Sequence, residues 1–471
     1  MRVGRRRCIS MEVIVVLALA LMPGVSLAHE GERSEECPAS SPRFRVGHKI
    51  RTVNVPGAFD PTTLTSTEDR TIQVHLWYPA RDHDDCEETT DREGGFGECH
   101  APPAVYTSAI HGVPFLSPVP WSPLAWTIPA RIAFEGARVA DGEERFPVVV
   151  FSHGNTNSAI DYAYTPEALA SHGYVVAAPE HLNDTADDAR IDFANGLAGK
   201  TVLACLNDGP SPCLHTSVSK SMIERFHDVQ TILDTLPSWF GHRVDMKRVG
   251  IMGHSRGSLT TLAVAGGSKV WGFDKEPRIK ALMGLAIGAA SILQNIDLKN
   301  VTVPALLVAG TLDVNPGPTV SALAFKAISS TDKQLVLIND AVHRHFDSGL
   351  CAQMQSAGSI AQASSAAVLD RQTVDHIALG PRNSAGASTS GDAIDFCGYD
   401  SFTKPTDVTP LLDSIYATAP PPLTGFRVTP SNVPTHGLTS DAVAKDVVSL
   451  AVSFFGRVLG RADDDDRASK D

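Results

Sequence analysis

Val249-Gly250-Ile251-Met252-Gly253-His254-Ser255-Arg256-Gly257-Ser258-Leu259-Thr260 runs from an apolar β-type segment through Gly-x-Ser-x-Gly into a small-residue helical pattern that continues at Leu262, Ala263 and Ala265. A strand that feeds a helix through this pentapeptide is a nucleophile elbow. Such a turn holds Ser255 at the tip of a sharp bend, in a backbone conformation few residues tolerate. Gly253 and Gly257 are needed because a β-carbon at either position would strike the neighbouring strand or helix. The helix that starts here aims unpaired N–H groups at the serine, which suits an oxyanion. The pentapeptide alone occurs by accident in a chain with 37 glycines. The strand before it and the helix after it carry the reading.

Outward from the elbow, buried strand-like runs recur. Phe44 to Val55 and Thr71 to Tyr78 read as strands, followed by an irregular, proline-rich stretch over residues 80–145 that contains Trp121 and Trp126. Phe146 to Phe151, Tyr174 to Ala178, Arg248 to Met252, Ile279 to Ile287, Val303 to Ala309 and Gln334 to Ile338 are apolar enough for a parallel sheet covered on both faces. Helical spacing appears at Tyr164 to His172, Ser221 to Thr235 and Asp441 to Leu459. Strands alternating with helices predict an α/β fold, a mostly parallel sheet with helices on both faces. The expected organisation is one domain over residues 44–460, with lid-like insertions at about 181–220 and 347–437 and an acidic tail over 461–471.

A serine hydroxyl is a poor nucleophile at neutral pH, so Ser255 needs a base, and the base needs an orienting acid. In an elbow fold these follow the serine in the order acid, then histidine, each after a later strand. The strand ending at Gly310 runs into Thr311-Leu312-Asp313, and the one ending at Ile338 runs into Asn339-Asp340-Ala341-Val342-His343. Asp313 and His343 are therefore the candidate acid and base. His345 is the rival base, and Asp313 could instead be a turn residue ahead of Pro316 and Gly317. An oxyanion needs two backbone donors. Arg256, directly after the nucleophile, supplies one, and Asn155 in Ser152-His153-Gly154-Asn155 is the candidate for the other. His153 is read as a structural hydrogen-bonding group beneath that loop. The Arg256 side chain either pairs with an acidic neighbour, the reading preferred, or meets a carboxylate on the substrate.

The N-terminus reads as a cleavable export signal. Arg2, Arg5, Arg6 and Arg7 precede the apolar run Val13 to Met22, and Ser26-Leu27-Ala28 offers a cleavage site, giving a signal over residues 1–28. That run is short for a membrane span, and no integral membrane segment is expected once it is removed. Its loss takes away four arginines and Glu12, a net +3, so the formal charge moves from −13 to −16. Such an acidic balance gives no support to nucleic acid as a partner. Cys8 leaves with the signal, and seven cysteines remain. In an oxidising compartment, local pairing suggests Cys86–Cys99, Cys205–Cys213 and Cys351–Cys397, with Cys37 left over. Spacing alone leaves the connectivity open.

Several motifs also carry a family resemblance. Phe146-Pro147-Val148-Val149-Val150-Phe151-Ser152-His153-Gly154 and Leu169-Ala170-Ser171-His172-Gly173-Tyr174-Val175-Val176-Ala177-Ala178-Pro179-Glu180-His181 resemble the α/β-hydrolase branch that holds dienelactone hydrolases and platelet-activating-factor acetylhydrolases. Trp77-Tyr78-Pro79-Ala80, Val249 to Gly257 and Ala341 to Asp347 are similar to the same branch. The resemblance spans most of residues 70–350 plus the closing helix. Acetylhydrolases of the branch carry their acid after the strand following the elbow helix, where this chain reads Leu285-Ala286-Ile287-Gly288-Ala289. Dienelactone and polyester-hydrolase relatives carry it one strand later, where Asp313 stands. Dienelactone hydrolases proper have cysteine at the elbow, and this chain has serine.

The ordered residues and the resemblance together imply a serine esterase of the α/β-hydrolase fold acting on a small-molecule or lipid-like ester without metal or organic cofactor, and the N-terminal signal implies that it is secreted or periplasmic. A lipase or polyester hydrolase shares the chemistry. A non-catalytic binding protein on the same fold, or a metallohydrolase using His343 and His345, are readings of other classes.

Overall fold

The computed structural model describes residues 44–81, 101–107, 127–141, 145–155, 157–182, 184–185, 218–310, 313, 317–338, 341, 343–349 and 440–460. The expected signal over 1–28, every cysteine, Trp121 and Trp126, most of both insertions and the tail over 461–471 lie outside these residues.

Among the described residues, ten strands form one sheet. They are β1 (Arg45–Val55), β4 (Arg70–Ala80), β5 (Pro103–Thr107), β6 (Thr127–Glu135), β7 (Phe146–Ser152), β8 (Val175–Pro179), β9 (Val244–His254), β10 (Ile279–Leu285), β11 (Ala305–Gly310) and β12 (Lys333–Ile338). Two-residue strands β2 (Phe59–Asp60) and β3 (Thr65–Ser66) pair separately. The order across the sheet is β12-β11-β10-β9-β7-β8-β4-β1-β6-β5. From β12 to β8 every pairing is parallel, whereas β4 is antiparallel to both its neighbours. The chain leaves β7 for β8 on one side and later returns to β9 on the other. The strand order reverses there, and beyond the carboxyl ends of the strands at such a reversal is where open α/β sheets bind their ligands.

The stretch read as irregular over 80–145 needs correction, because β5 and β6 lie in it and extend the sheet past β1. β5 alternates exposed and buried residues, as an edge strand does, and Pro103 and Pro129 disguise both strands in the sequence.

Both faces are covered, as the apolar runs require. β7 sends Phe146, Val148 and Val150 into one core layer and Val149 and Phe151 into the other. The first layer is closed by α2 (Val218–Phe240), through Phe226, Val229 and Leu233, and by α3 (Arg256–Gly266), through Leu259 and Leu262. α4 (Pro318–Ala327) adds Val320 and Ala324. The second is closed by α1 (Tyr164–Ser171) and the C-terminal α5 (Ser440–Leu459), whose Val443, Val447, Phe454, Phe455 and Leu459 are buried. Each such large apolar side chain contributes roughly 1.5–3 kcal/mol on leaving water. A β-carbon at Gly250 would lie 2.7 Å from the Phe455 ring, so glycine on β9 lets α5 pack close. No helix among the described residues is long and apolar enough to cross a membrane.

Candidate active site

The candidate residues all lie beyond the carboxyl edge of the parallel strands. Ser255 follows β9, Asp313 follows β11, His343 follows β12, and His153 to Asn155 follow β7. Ser255 has φ 54° and ψ −116°, one of few non-glycine residues at positive φ among those described. Holding a side chain there costs about 1–3 kcal/mol, and a surrounding frame must maintain it. Here the frame is main chain. Ser255 N–H donates to the Leu285 carbonyl at 2.9 Å, and Gly288 N–H donates back to the Ser255 carbonyl at 3.1 Å. A β-carbon at Gly253 would collide with the Gly257 carbonyl, and one at Gly257 would collide with that of Ser152 and lie 2.7 Å from that of His153. The first turn of α3 therefore rests directly on the loop after β7. Arg256 is the first residue of α3, where a helix leaves its N–H unpaired by its own ladder. Asn155 stands half-buried just after Gly154.

His343 Nδ1 lies 2.8 Å from Asp313 Oδ2, and both residues are buried. That contact leaves Nε2 as the ring nitrogen for proton exchange. His345 sits two residues on in the same short 3-10 turn, His343–Phe346, and its main-chain oxygen faces Ser440 Oγ at 3.5 Å. Asp313 thus meets the first histidine of the pair. Among the described residues, no cluster of three or more His, Cys, Asp or Glu is arranged to hold a metal.

A buried charge cluster supports the β7 loop from below, and sequence reasoning missed most of it. Arg225 of α2 donates to Asp184 at 2.8 Å, to the His153 carbonyl at 2.7 Å, to Ser152 Oγ at 3.1 Å and to the Gly154 carbonyl at 3.2 Å. Ser221 Oγ donates to the same Asp184 oxygen at 2.7 Å, and Arg256 Nη1 stands 3.3 Å from it. The Arg256 side chain is thus tied to an acidic neighbour. Burial would raise the Asp184 carboxyl, but Arg225 and Arg256 overcome it and hold the group below the ordinary carboxylate range. His153 accepts the His181 N–H on Nε2 at 3.0 Å and has Nδ1 2.7 Å from the Gly154 carbonyl. Burial, reinforced by Arg225, keeps both His153 and His181 neutral well below the usual imidazole value. A second cluster anchors this one. His181 Nδ1 meets Asp228 at 2.7 Å, and Arg70 meets the other Asp228 oxygen at 2.7 Å. The signal in the sequence was faint, since Glu224, Arg225 and Asp228 resemble the solvent face of an amphipathic helix.

The family model described as platelet-activating factor acetylhydrolase, isoform II, matches residues 126–193, and one described as PET hydrolase-like matches residues 215–364. Cutinase est1 of Thermobifida alba is 26% identical over 200 residues, 42% of this chain and 53% of the relative. The chain therefore spans about half the length of that curated relative. A ferulic acid esterase from Streptomyces cinnamoneus overlays with TM-score 0.43 at 20% identity, over 84% of this chain and 97% of the other. A monoacylglycerol lipase from Paleococcus ferrophilus overlays with TM-score 0.30 at 16% identity, over 42% and 88%. At that overlap the fold assignment rests on strand order and the elbow. The first match covers β6 to β8 and the second covers α2, the elbow and the strands after it, so with the strand order this chain has an α/β-hydrolase fold and is similar to the branch of the dienelactone hydrolases and platelet-activating-factor acetylhydrolases.

Proposed function

We propose that the protein hydrolyses carboxylic esters through an acyl-enzyme on Ser255. The observation that carries this reading is the His343–Asp313 contact on the sheet edge that also bears the strained Ser255. In the proposed reaction, His343 Nε2 takes the Ser255 hydroxyl proton as Oγ attacks the ester carbonyl. Asp313 accepts the Nδ1–H, fixing the tautomer and stabilising the imidazolium. The N–H groups of Asn155 and Arg256 receive the oxyanion, and removing one such donor costs about 3–4 kcal/mol of transition-state stabilisation. Collapse of the tetrahedral intermediate expels the alcohol, which takes the proton from His343. Water, deprotonated by the same histidine, then releases the acid and free Ser255.

A polyester is a second reading of the substrate, favoured by the PET hydrolase-like match and the cutinase relative. Export follows from the basic and apolar segments at residues 2–22 and belongs to the same proposal. The insertions over 181–220 and 347–437 are its natural source of substrate selectivity.

Turnover of p-nitrophenyl esters of graded chain length by the wild type, Ser255→Ala, His343→Ala and His345→Ala tests the proposal, with clearing of an insoluble polyester as the second arm. Ser255→Ala and His343→Ala should be inactive. Undiminished turnover by Ser255→Ala would remove the mechanism, and loss confined to His345→Ala would move the base. A folded wild type that turns over no ester would favour a binding protein on this fold.

A further inference from the structure

His254, directly ahead of the nucleophile, takes no part in the proposed acyl transfer, yet it meets the candidate base directly and the oxyanion loop through Tyr162. Its Nε2 lies 3.1 Å from the His343 main-chain oxygen. A carbonyl can only accept, so Nε2 carries a proton and donates it. Its Nδ1 lies 2.8 Å from the Tyr162 hydroxyl and 3.3 Å from Asp347 Oδ1. The Tyr162 oxygen in turn accepts the Gly154 N–H at 3.2 Å.

The packing around this run is close. A β-carbon on Gly154 would meet Tyr162 Oη at 2.9 Å, Asn157 Oδ1 at 3.0 Å and His254 Nδ1 at 3.2 Å, so only glycine fits beneath the cluster. The His254 and His343 rings lie 4.6 Å apart, with Phe346 on the same imidazole at 5.9 Å. The flanking segments are stitched together as well. Asn157 Nδ2 donates to Asp161 at 2.8 Å and to Asp347 at 3.2 Å, and Gly349 N–H donates to the Asp161 carbonyl at 2.6 Å.

We infer that Tyr162 and His254 are positioning residues for the acyl transfer. The run from Gly154 N–H through the Tyr162 hydroxyl and the His254 imidazole to the His343 carbonyl sets the spacing between oxyanion loop and base, across the elbow that bears the nucleophile. This rests on the proposed roles of Ser255, His343 and Asp313. Both ends of the run are main-chain atoms, so it fixes where the loops stand and donates nothing to substrate. Misplacing reacting groups by about 1 Å costs on the order of 100-fold in rate. A cluster that only filled the core would affect stability and leave kcat alone.

Tyr162→Phe keeps the ring and deletes only the hydroxyl, while His254→Leu removes both ring nitrogens and His254→Gln restores one donor. With p-nitrophenyl acetate, Tyr162→Phe and His254→Leu should lower kcat by about 10- to 100-fold with KM within about twofold. The rate of fluorophosphonate labelling should fall in parallel, and His254→Gln should recover part of the loss. Should His254→Leu fail to fold, Tyr162→Phe decides alone. A folded Tyr162→Phe with kcat within about twofold of wild type overturns the inference and leaves the proposed function standing. A wild type that neither labels nor turns over overturns both.

Discussion

Arg225 donates to the main-chain oxygen of His153 at 2.7 Å, so a fully buried charge on α2 holds the floor of the loop proposed to bind the oxyanion. The same guanidinium neutralises Asp184, which also takes Arg256 of the elbow helix. One buried ion cluster therefore braces the loop after β7 and the first turn of α3 together.

Replacing Arg225 by methionine should cost about 3–5 kcal/mol, because it leaves the Asp184 charge buried without its main partner. The midpoint of urea unfolding measures this. Arg225→Lys should not restore it, since an ammonium cannot supply the fork that reaches Asp184, His153 and Gly154 at once.

Stability should fall as pH drops from 7.5 to 5.5. Burial lowers His75, His153 and His181 well below the usual imidazole value. A full unit above the ordinary imidazole value, near pH 7.5, neither folded nor unfolded histidine holds much proton, and the stabilisation is nearly complete. Below it only the unfolded chain takes up protons, so stability is lost as pH falls toward the folded values. Each histidine should contribute on the order of 1 kcal/mol over this interval, and the three together a few kcal/mol. Asp184, held low in the fold, adds a further loss only below about pH 4. Urea unfolding at stepped pH checks the slope, and a flat profile between 7.5 and 5.5 would contradict the assignment.

Ser255→Gly should be more stable than Ser255→Ala by about 1 kcal/mol. Both delete the hydroxyl, but only glycine relieves the strain at φ 54°. Thermal unfolding of the two variants side by side gives the comparison.

Asp313→Asn should keep the fold and lower kcat by about 10⁴-fold, because an amide leaves the His343 ring without its acceptor and in the wrong tautomer. Steady-state ester turnover reads this directly. A loss confined to KM would place Asp313 in substrate binding instead.

The central strands β7 and β11 were legible because each is a continuous apolar run buried on both faces, as Val148 to Phe151 and Leu306 to Ala309 illustrate, and the partly exposed β12 because it still carries Leu335 to Ile338. The elbow was legible because sterics demand Gly253 and Gly257 around one serine. β5 escaped because an edge strand needs no such run, and its inner neighbour β6 because Pro129 reads as a breaker. The buried polar residues escaped for a different reason. What neutralises Arg225, or holds His254, lies tens of residues away in the chain, and no local periodicity records it. His254 did occupy a variable position of the pentapeptide, where a ring between glycine and serine could have been questioned.

The proposed reaction passes through a covalent acyl group on Ser255. Rapid-quench mass spectrometry with p-nitrophenyl acetate, followed by peptide mapping, measures it directly. A burst of p-nitrophenol near one equivalent per chain is expected, with the acetyl group on the peptide that contains Ser255 and none in Ser255→Ala. Turnover with no acyl group on that peptide, or acylation undiminished in Ser255→Ala, would contradict it.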